Sequence, residues 1–193
     1  MRKKTVFGYI LKLWTFFPRM AEAALQTPVM QELMNSQEKF DLIIMEASML
    51  QESFLAFSHK FKAPVVNLHP LFVAPFGASL MGAPNPFSYI PDFRLPYTDK
   101  MHFWQRLRNT AVGVVELLGG YLYYLPSQER IMRRNFKYEG SEMLPSVREL
   151  IGNVSLHLID SHPMIYIRPY SPNVLDVAGM NIKPAGKLPQ VRD

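Results

Sequence analysis

The chain has 193 residues, 48% hydrophobic and 19% charged, a composition typical of a folded globular domain rather than a disordered chain. The length allows one domain with a substantial core but is too short for two complete α/β domains. There is no cysteine, which excludes disulfides and thiolate metal sites. The net charge of +5 is dispersed, whereas nucleic-acid-binding proteins usually concentrate their basic residues; it remains compatible with an anionic lipid or substrate.

The N-terminal segment allows two interpretations. A basic start at Arg2–Lys4, an apolar stretch over Val6–Phe17 and the small–x–small triplet Ala21–Ala23 imitate a secretory signal peptide. Against this, Lys12 interrupts the apolar stretch, and apolar residues recur there at helical spacing, namely Phe7, Ile10, Leu11 and Trp14. We therefore favour an amphipathic helix. No segment reaches the roughly 20 consecutive apolar residues that a bilayer-spanning helix needs.

Four short apolar runs predict buried strands. These runs are Asp41–Met45, Pro64–Leu68, Ser155–Ile159 and Val174–Val177. Leu50–Phe61, between the first two, carries apolar residues at helical spacing. A strand–helix–strand order predicts a right-handed crossover between parallel strands. The predicted fold class is therefore α/β, with a partial Rossmann-like parallel sheet.

The segment between the second and third strands begins with a long predicted loop and continues with helices. The loop, His69–Lys100, contains six prolines, and a loop of this length inside a domain is usually functional. Its aromatic side chains could line an apolar ligand site or simply pack onto the domain; they are Phe72, Phe76, Phe87, Tyr89, Phe93 and Tyr97. The predicted helices are Met101–Leu125, Ser127–Phe136 and Leu144–Ile151.

The first of these helices has an unusual composition. Between Thr110 and Pro126 its only charged residue is Glu116, while three glycines weaken the helix prediction. We expect its apolar face to pack on the sheet. The alternative is a membrane surface, which the tryptophan, the tyrosines and the flanking arginines would suit.

Two polar residues follow the first two strands directly and are the candidates for chemistry. In open α/β sheets ligands bind beyond the carboxyl ends of the strands, where Glu46 and His69 are expected. A carboxylate can orient a histidine that acts as a general base, although a histidine before a proline can equally be structural. The candidate substrate-binding residues are His69, Phe72, Phe76, Phe87 and Tyr89. No histidine pair has metal-ligand spacing, and no GxGxxG, P-loop or GxSxG motif occurs.

Several segments, in order, resemble the UDP-glycosyltransferases of animals, especially the insect members. They are Lys39–Glu46 (KFDLIIME), Phe61–Leu68 (FKAPVVNL), Asn85–Pro91 (NPFSYIP), Thr98–Asn109 (TDKMHFWQRLRN), Asn153–Ser161 (NVSLHLIDS) and Arg168–Gly179 (RPYSPNVLDVAG). The resemblance covers the chain from about Lys39 to Pro189. Its specificity lies in the order and spacing of the segments rather than in any one of them.

The resemblance implies the acceptor-binding half of a GT-B fold and the transfer of a hexose from a UDP-sugar to a small lipophilic hydroxyl acceptor. By position, Glu46 corresponds to the acid that orients the base histidine. That histidine belongs to a segment upstream of those matched here, so His69 does not correspond to it. The donor signature contains a His-Cys-Gly segment, which this cysteine-free chain lacks. The resemblance implies no cofactor or metal, with the UDP-sugar as co-substrate at a site outside this chain.

From these observations we predict three regions: a helical lead-in over residues 1–38, an incomplete acceptor-binding α/β domain over 39–181, and the start of an interdomain linker over 182–193. The resemblance places full-length relatives at the endoplasmic reticulum membrane or lumen, where Asn153-Val154-Ser155 could accept a glycan. Three hypotheses follow: a truncated and inactive piece of the enzyme, a non-catalytic isoform that binds partners or forms oligomers, or an unrelated membrane-peripheral protein. We expect no nucleic-acid partner.

Overall fold

The computed structural model describes residues 6–47, 51–70, 73–161, 168–179 and 182–183. Four strands form one parallel sheet, and their spatial order is the same as their order in the chain. They are β1 (Ile43–Met45), β2 (Val65–His69), β3 (Leu156–Ile159) and β4 (Val174–Asp176). The α/β class and all four strands are therefore confirmed, each strand within two residues of its predicted bounds.

The two central strands carry polar side chains on the buried face of the sheet. In β2, burial alternates, so that Val65, Asn67 and His69 are buried while their neighbours are half-buried. The register pairs Asn67 with His157 and His69 with Ile159. Because aligned residues of adjacent strands point to the same face, Asn67, His69 and His157 share the interior side.

Seven helices surround the sheet in the described part of the chain. They are α1 (Val6–Leu25), α2 (Pro28–Asn35), α3 (Ala56–Phe61), α4 (Pro75–Leu80), α5 (Phe103–Gly119), α6 (Leu125–Asn135) and α7 (Val147–Gly152). Short 3₁₀ turns cover Glu52–Leu55 and Ser141–Met143, and a π-helical turn, Gly120–Tyr124, joins α5 to α6. None of the described helices is both long and apolar enough to cross a bilayer.

The helix bounds correct several predictions. The N-terminal helix runs beyond the predicted apolar stretch and through Pro18, which is buried. Proline-rich His69–Lys100 is not loop throughout, because Pro75 begins the short helix α4, a position where proline's missing N–H costs nothing. The segment predicted as one helix over Leu50–Phe61 divides into a 3₁₀ turn and α3. Helix α2 lies within the predicted helical lead-in over residues 1–38, although its own bounds were not predicted. Residues 184–193 of the expected linker lie outside the described part.

The main core lies between the sheet and the helices on its interior face. Leu25 at the end of α1 and Met34 in α2 are buried in it together with residues of α3, α6 and α7. Tyr124, Met132 and Phe136 are also completely or almost completely buried there. The two N-terminal helices thus bury side chains in the same core as the sheet. The predicted boundary at residue 38 stays a prediction.

The glycines of the central helix are explained by aromatic rings that pack directly on its backbone. A Cβ atom added at Gly113 would lie 2.3 Å from the ring of Phe87, and one at Gly119 would lie 2.2 Å from the ring of Trp14. At Gly120 the corresponding contact is 2.3 Å, to the ring of Phe76. Because these residues have no side chain, rings from α1 and the proline-rich segment pack directly on the backbone of α5 and the adjoining π turn.

Replacing Gly120 with alanine should destabilise the protein, although alanine is the better helix former. The ring of Phe76 is 4% exposed and has little room to move, so overpacking should cost about 1–3 kcal/mol. Gly152→Ala is the matched control, because no atom lies within 4 Å of the added Cβ. Thermal unfolding should show a lower Tm for Gly120→Ala alone. Equal Tm values for both variants would contradict this account.

A buried polar network fastens the proline-rich segment to α5. The side-chain amide of Asn109 donates to the carbonyl oxygens of Phe87 (2.9 Å) and Ile90 (2.8 Å), and its oxygen accepts from the backbone N–H of Asp92 (2.7 Å). Arg94 forms ion pairs with both Asp92 and Glu116, all three side chains being at most 8% exposed. Glu116 also accepts from the backbone N–H of Phe76 (3.1 Å) at the start of α4.

Candidate active site

Glu46 lies directly after β1, at the carboxyl end of the sheet, as predicted. Its side chain is exposed, and no hydrogen bond joins it to another described residue. Partial burial raises the pKa of its carboxyl group from the ordinary value of a glutamate. The carboxylate is therefore accessible to a group that approaches the end of β1. Its catalytic role stays a prediction.

His69 occupies a different environment, at the last position of β2. It is 3% exposed, and its Nε2 lies 3.0 Å from Nδ1 of His157 on β3, so the two rings share one hydrogen bond. Burial, with a contribution from His157, lowers the pKa of His69 to about 3, and burial lowers the pKa of His157 to about 4. Both imidazoles are therefore neutral near pH 7, with one nitrogen donating to the other. This contact is absent from the sequence prediction because the two residues are 88 positions apart.

The histidine pair faces a small internal cavity of about 30 Å³. Polar groups of Glu52, Asn67, His69 and His157 line it together with apolar side chains. The oxygen of Asn67 accepts from the backbone N–H of Ala47 (2.7 Å), which fixes the chain one residue after Glu46. The volume suits about one or two water molecules rather than a lipophilic acceptor.

Glu52 provides the buried carboxyl group that lines this cavity, and it is hydrogen-bonded to Tyr124 at the end of the π turn. Its carboxyl accepts a short hydrogen bond from the hydroxyl of Tyr124, which is fully buried. Burial raises the pKa of Glu52 to about 7, although the tyrosine bond acts in the opposite direction. Next to it, the backbone N–H of Ser53 donates to the side chain of Gln128 (3.2 Å). Sequence inspection missed this group, since Glu52 is an ordinary acid in a helix-like segment.

The aromatic side chains predicted to line a ligand site lie in separate parts of the structure rather than in one pocket. Phe76 is buried against Gly120, with its ring edge-on to Tyr121 and Tyr124 at centroid distances of 5.3 Å and 5.8 Å. Phe87 is half-buried against Gly113, two helical turns away, and Tyr89 is 41% exposed. Phe72 lies outside the described residues. The structure thus does not bring Glu46, His69 and these aromatic residues together in one pocket, and their binding roles stay predictions.

An apolar groove of about 370 Å³ adjoins β1, and its lining includes Met45, the residue before Glu46. Its lining comes from α2, β1, the 3₁₀ turn and α3, and consists of Met30, Leu33, Phe40, Leu42, Ile43, Ile44, Met45, Phe54, Phe57 and Phe61. Ile44 is 65% exposed and Leu42 is 46% exposed. The sequence carried no signal for the groove, because residues 42–45 are all apolar and the run was interpreted as a buried strand, whereas Leu42 and Ile44 are exposed.

In the described part of the chain, no group of three or more His, Asp or Glu side chains is placed to hold a metal ion. The arrangement therefore offers an exposed carboxylate beside an apolar groove, and a separate buried polar cavity with two neutral imidazoles.

Comparison with known proteins shows to which family the chain belongs. A family model described as UDP-glucoronosyl and UDP-glucosyl transferase matches residues 5–192. The chain belongs to the UDP-glycosyltransferase family. Two UDP-glycosyltransferases of Dactylopius coccus are 34% and 37% identical to it over 163 residues, covering 83% of this chain and 32% and 30% of those proteins. The human 2-hydroxyacylsphingosine 1-beta-galactosyltransferase is 33% identical over 157 residues, covering 80% of this chain and 27% of that protein.

The chain spans less than a third of the length of these UDP-glycosyltransferase relatives. No solved structure gave a significant match. Family membership and the α/β class confirm what the ordered segments from Lys39 to Gly179 indicated. The structure adds a physical role for one of them: Thr98–Asn109 places buried Met101 just before α5 and the loop-binding Asn109 within α5.

Proposed function

We propose that this chain supplies the acceptor side of a UDP-glycosyltransferase that transfers a hexose to a small lipophilic hydroxyl compound. The observation that supports this proposal is the exposed carboxylate of Glu46 at the carboxyl end of β1 in a chain of this family. Glu46 acts as a positioning residue. Its carboxylate accepts a hydrogen bond from one N–H of a base histidine, fixes the tautomer and stabilises the imidazolium that forms when the acceptor hydroxyl is deprotonated.

The base histidine comes from outside the described residues. His69 is bonded to His157, and His59 is bonded through Nδ1 to the hydroxyl of Tyr138 at 2.6 Å. His102 lies at the start of α5, where its backbone N–H donates to Gln105. None of these four histidines forms a hydrogen bond with Glu46. The donor site, for the UDP-sugar co-substrate, is likewise assigned to another part of the longer protein.

A lipophilic acceptor is supported by the groove beside β1. Its volume of about 370 Å³ falls within the range of small-molecule sites, and its lining is apolar. Met45 belongs to this lining and directly precedes Glu46, so a hydroxyl at one end of a bound acceptor would lie near the carboxylate. The endoplasmic reticulum is the compartment that we propose for the longer protein, following the family resemblance.

Purified alone, the chain should transfer no sugar from UDP-glucose or UDP-glucuronic acid to a phenol. The proposal assigns the base and the donor site to other segments of a longer protein, and the acceptor side alone cannot complete the transfer. Product formation, followed by chromatography of the glycosylated phenol, would overturn the assignment of the base to another segment.

The role of Glu46 is tested in a graft, with residues 28–161 replacing the matching segment of a Dactylopius coccus relative. Glu46→Gln should lower kcat by roughly 10²–10⁴-fold, because the amide cannot stabilise the imidazolium, while Glu46→Asp should retain part of the activity. Glu38→Gln is the matched control, since Glu38 is an exposed acid of the same segment. A Glu46→Gln graft as active as the Glu38→Gln graft would exclude the proposed role.

A non-catalytic binding role is the second candidate, and the outer edge of β1 favours it. No described strand pairs with this edge, and exposed Ile44 lies on it. An open strand edge can pair with an extended segment of another chain. Absence of transfer in every graft, together with association with a relative that Ile44→Lys abolishes, would favour this candidate over the first.

A further inference from the structure

The two residues that flank Glu46 are both held by one residue of the neighbouring strand, Asn67. Before Glu46, Met45 is the last residue of β1 and pairs in register with Asn67 of β2. After Glu46, the backbone N–H of Ala47 donates to Oδ1 of the Asn67 side chain at 2.7 Å. The backbone is therefore fixed on both sides of the exposed carboxylate, and the same residue does so each time.

The bond to Ala47 replaces the next backbone bond of the parallel ladder. The N–H of Ile43 donates to the carbonyl oxygen of Pro64 at 3.0 Å, and in a parallel pair the donors toward one neighbour recur at every second residue. Ala47 belongs to the same series of alternate residues as Ile43, but its N–H is bonded to a side chain rather than to a backbone carbonyl. The strand can thus end at Met45 without leaving this buried N–H unpaired.

The bond to Ala47 also determines the direction in which the Glu46 side chain points. Ile44 and Glu46 are exposed, whereas Met45 is half-buried and Ala47 is 2% exposed. Because successive side chains of an extended chain point to opposite faces, the buried position of Ala47 places Glu46 on the outer side. Release of the Ala47 N–H would allow the chain after Met45 to rotate, and the direction of the carboxylate would no longer be fixed.

Asn67 lies at the centre of the sheet and has the side chain that this position needs. It is the third residue of β2, is 5% exposed, and is aligned with Met45 on one side and His157 on the other. Its amide offers an acceptor oxygen beside the small polar cavity without adding a charge. Aspartate would place a second carboxyl group in that cavity beside Glu52, and leucine, of similar size, has no acceptor.

We propose that Asn67 is a positioning residue for Glu46, which holds the carboxylate in the direction in which it meets the base histidine. This inference rests on the proposed function and deepens it, because Asn67 acts through Glu46 and not on the substrate. A displacement of about 1 Å at a catalytic group can lower a rate roughly 100-fold, so the loss of the bond to Ala47 should be measurable in catalysis. The competing explanation is that Asn67 only stabilises the end of β1.

Hydrogen exchange in the full chain, followed at single amides by NMR, tests the geometric part. In Asn67→Leu the amide of Ala47 should exchange roughly tenfold faster or more than in the wild type, because its acceptor has been removed. The amide of Ile43, bonded to a backbone carbonyl, is the internal control and should keep its rate. Asn67→Ser, whose side chain is too short to reach Ala47, carries the same expectation and serves if the leucine variant does not fold. An unchanged rate at Ala47, or an equal acceleration at Ile43, would overturn the inference.

Kinetics in the graft of residues 28–161 test the catalytic part. Asn67→Leu should lower kcat roughly 10–100-fold, while the KM values for the acceptor and the UDP-sugar stay unchanged. Added to Glu46→Gln, it should cause no further loss, because the carboxylate that it positions has already been removed. Asn109→Leu is the matched control, since it also removes a buried asparagine whose oxygen accepts from a backbone N–H at 2.7 Å. Any loss that it causes should be the same with Glu46 or with glutamine at that position.

The kinetic outcomes separate this inference from the proposed function. If Glu46→Gln lowers kcat and Asn67→Leu does not, the inference is wrong and the proposed function stands. The same conclusion follows if the losses of Asn67→Leu and Glu46→Gln multiply, as those of Asn109→Leu and Glu46→Gln should. If Glu46→Gln leaves kcat unchanged, the proposed function is wrong, and the role of Asn67 is wrong with it.

Discussion

Replacement of Arg94 by methionine should be among the most destabilising single changes in the chain, at about 3–5 kcal/mol of the free energy of unfolding. Arg94 is the cation between Asp92 and Glu116, whose side chains are 2% and 5% exposed. Burial raises the pKa of Glu116 even with Arg94 beside it, so the intact pair is not a large net gain. The loss arises because the variant leaves two carboxyl groups buried without their cation. Urea unfolding followed by circular dichroism measures it.

The control for this prediction is Arg134→Met, which removes an ion pair of the same type from the surface. Arg134 is 68% exposed in its pair with Glu22, and such pairs contribute at most about 1 kcal/mol. Adding Glu116→Gln to Arg94→Met should restore part of the stability, because it removes one of the stranded charges. Similar urea midpoints for Arg94→Met and Arg134→Met would show that the network of Arg94 does not stabilise the packing of the proline-rich segment on α5.

The buried histidine pair should make the protein more sensitive to acid than a variant that lacks it. The pKa values of His69 and His157 are lowered to about 3 and about 4, from 6.5 for an unperturbed histidine. Below about pH 6.5 the unfolded chain binds two protons that the folded chain does not. The pair's contribution to the free energy of unfolding should therefore fall by about 2.7 kcal/mol per pH unit between about pH 6.5 and pH 4.

Protonation of Glu52 affects the free energy of unfolding in the opposite direction. Its contribution must be separated from that of the two histidines. Its pKa is raised to about 7, so the folded state holds a proton that the unfolded state releases above about 4.5. This carboxyl favours the folded state as the pH falls from about 7 to about 4.5. Comparison of the wild type with His69→Asn/His157→Asn cancels this effect. The slope of the free energy of unfolding against pH should differ between the wild type and this variant by an amount equivalent to about two protons. Parallel curves would show that the histidines are not buried as a neutral pair.

The strands could be predicted from the sequence because each depends on a local pattern. Ile43–Met45 and Leu156–Ile159 are short apolar runs, and their position in the chain predicts parallel pairing. The exposed Glu46 follows from the same pattern, since the residue after a strand lies at the carboxyl end of the sheet. Helix α4 was missed because its six residues are too few for a periodic signal and are surrounded by prolines.

The contacts that organise the interior could not be predicted, because each joins distant parts of the chain. His69 meets His157 across 88 positions, and Glu52 meets Tyr124 across 72. Helix α5 did carry a signal: Asn109, Gly113, Glu116 and Gly120 share one face at helical spacing. The prediction assumed that apolar residues would face inward, whereas the small and polar face is the one on which aromatic rings and the proline-rich segment pack.

The order of the strands has a consequence for how the protein folds during its synthesis on the ribosome. β1 and β2 are close in the chain, but the other neighbour of β2 is β3, which begins at Leu156. Until that strand has been synthesised, the backbone of β2 lacks one of its two partners, and the residues on its interior face lack part of their cover. Pairing over such a separation also requires closure of a long loop, which slows folding. The nascent chain should therefore depend on chaperones until residues 156–159 have left the exit tunnel.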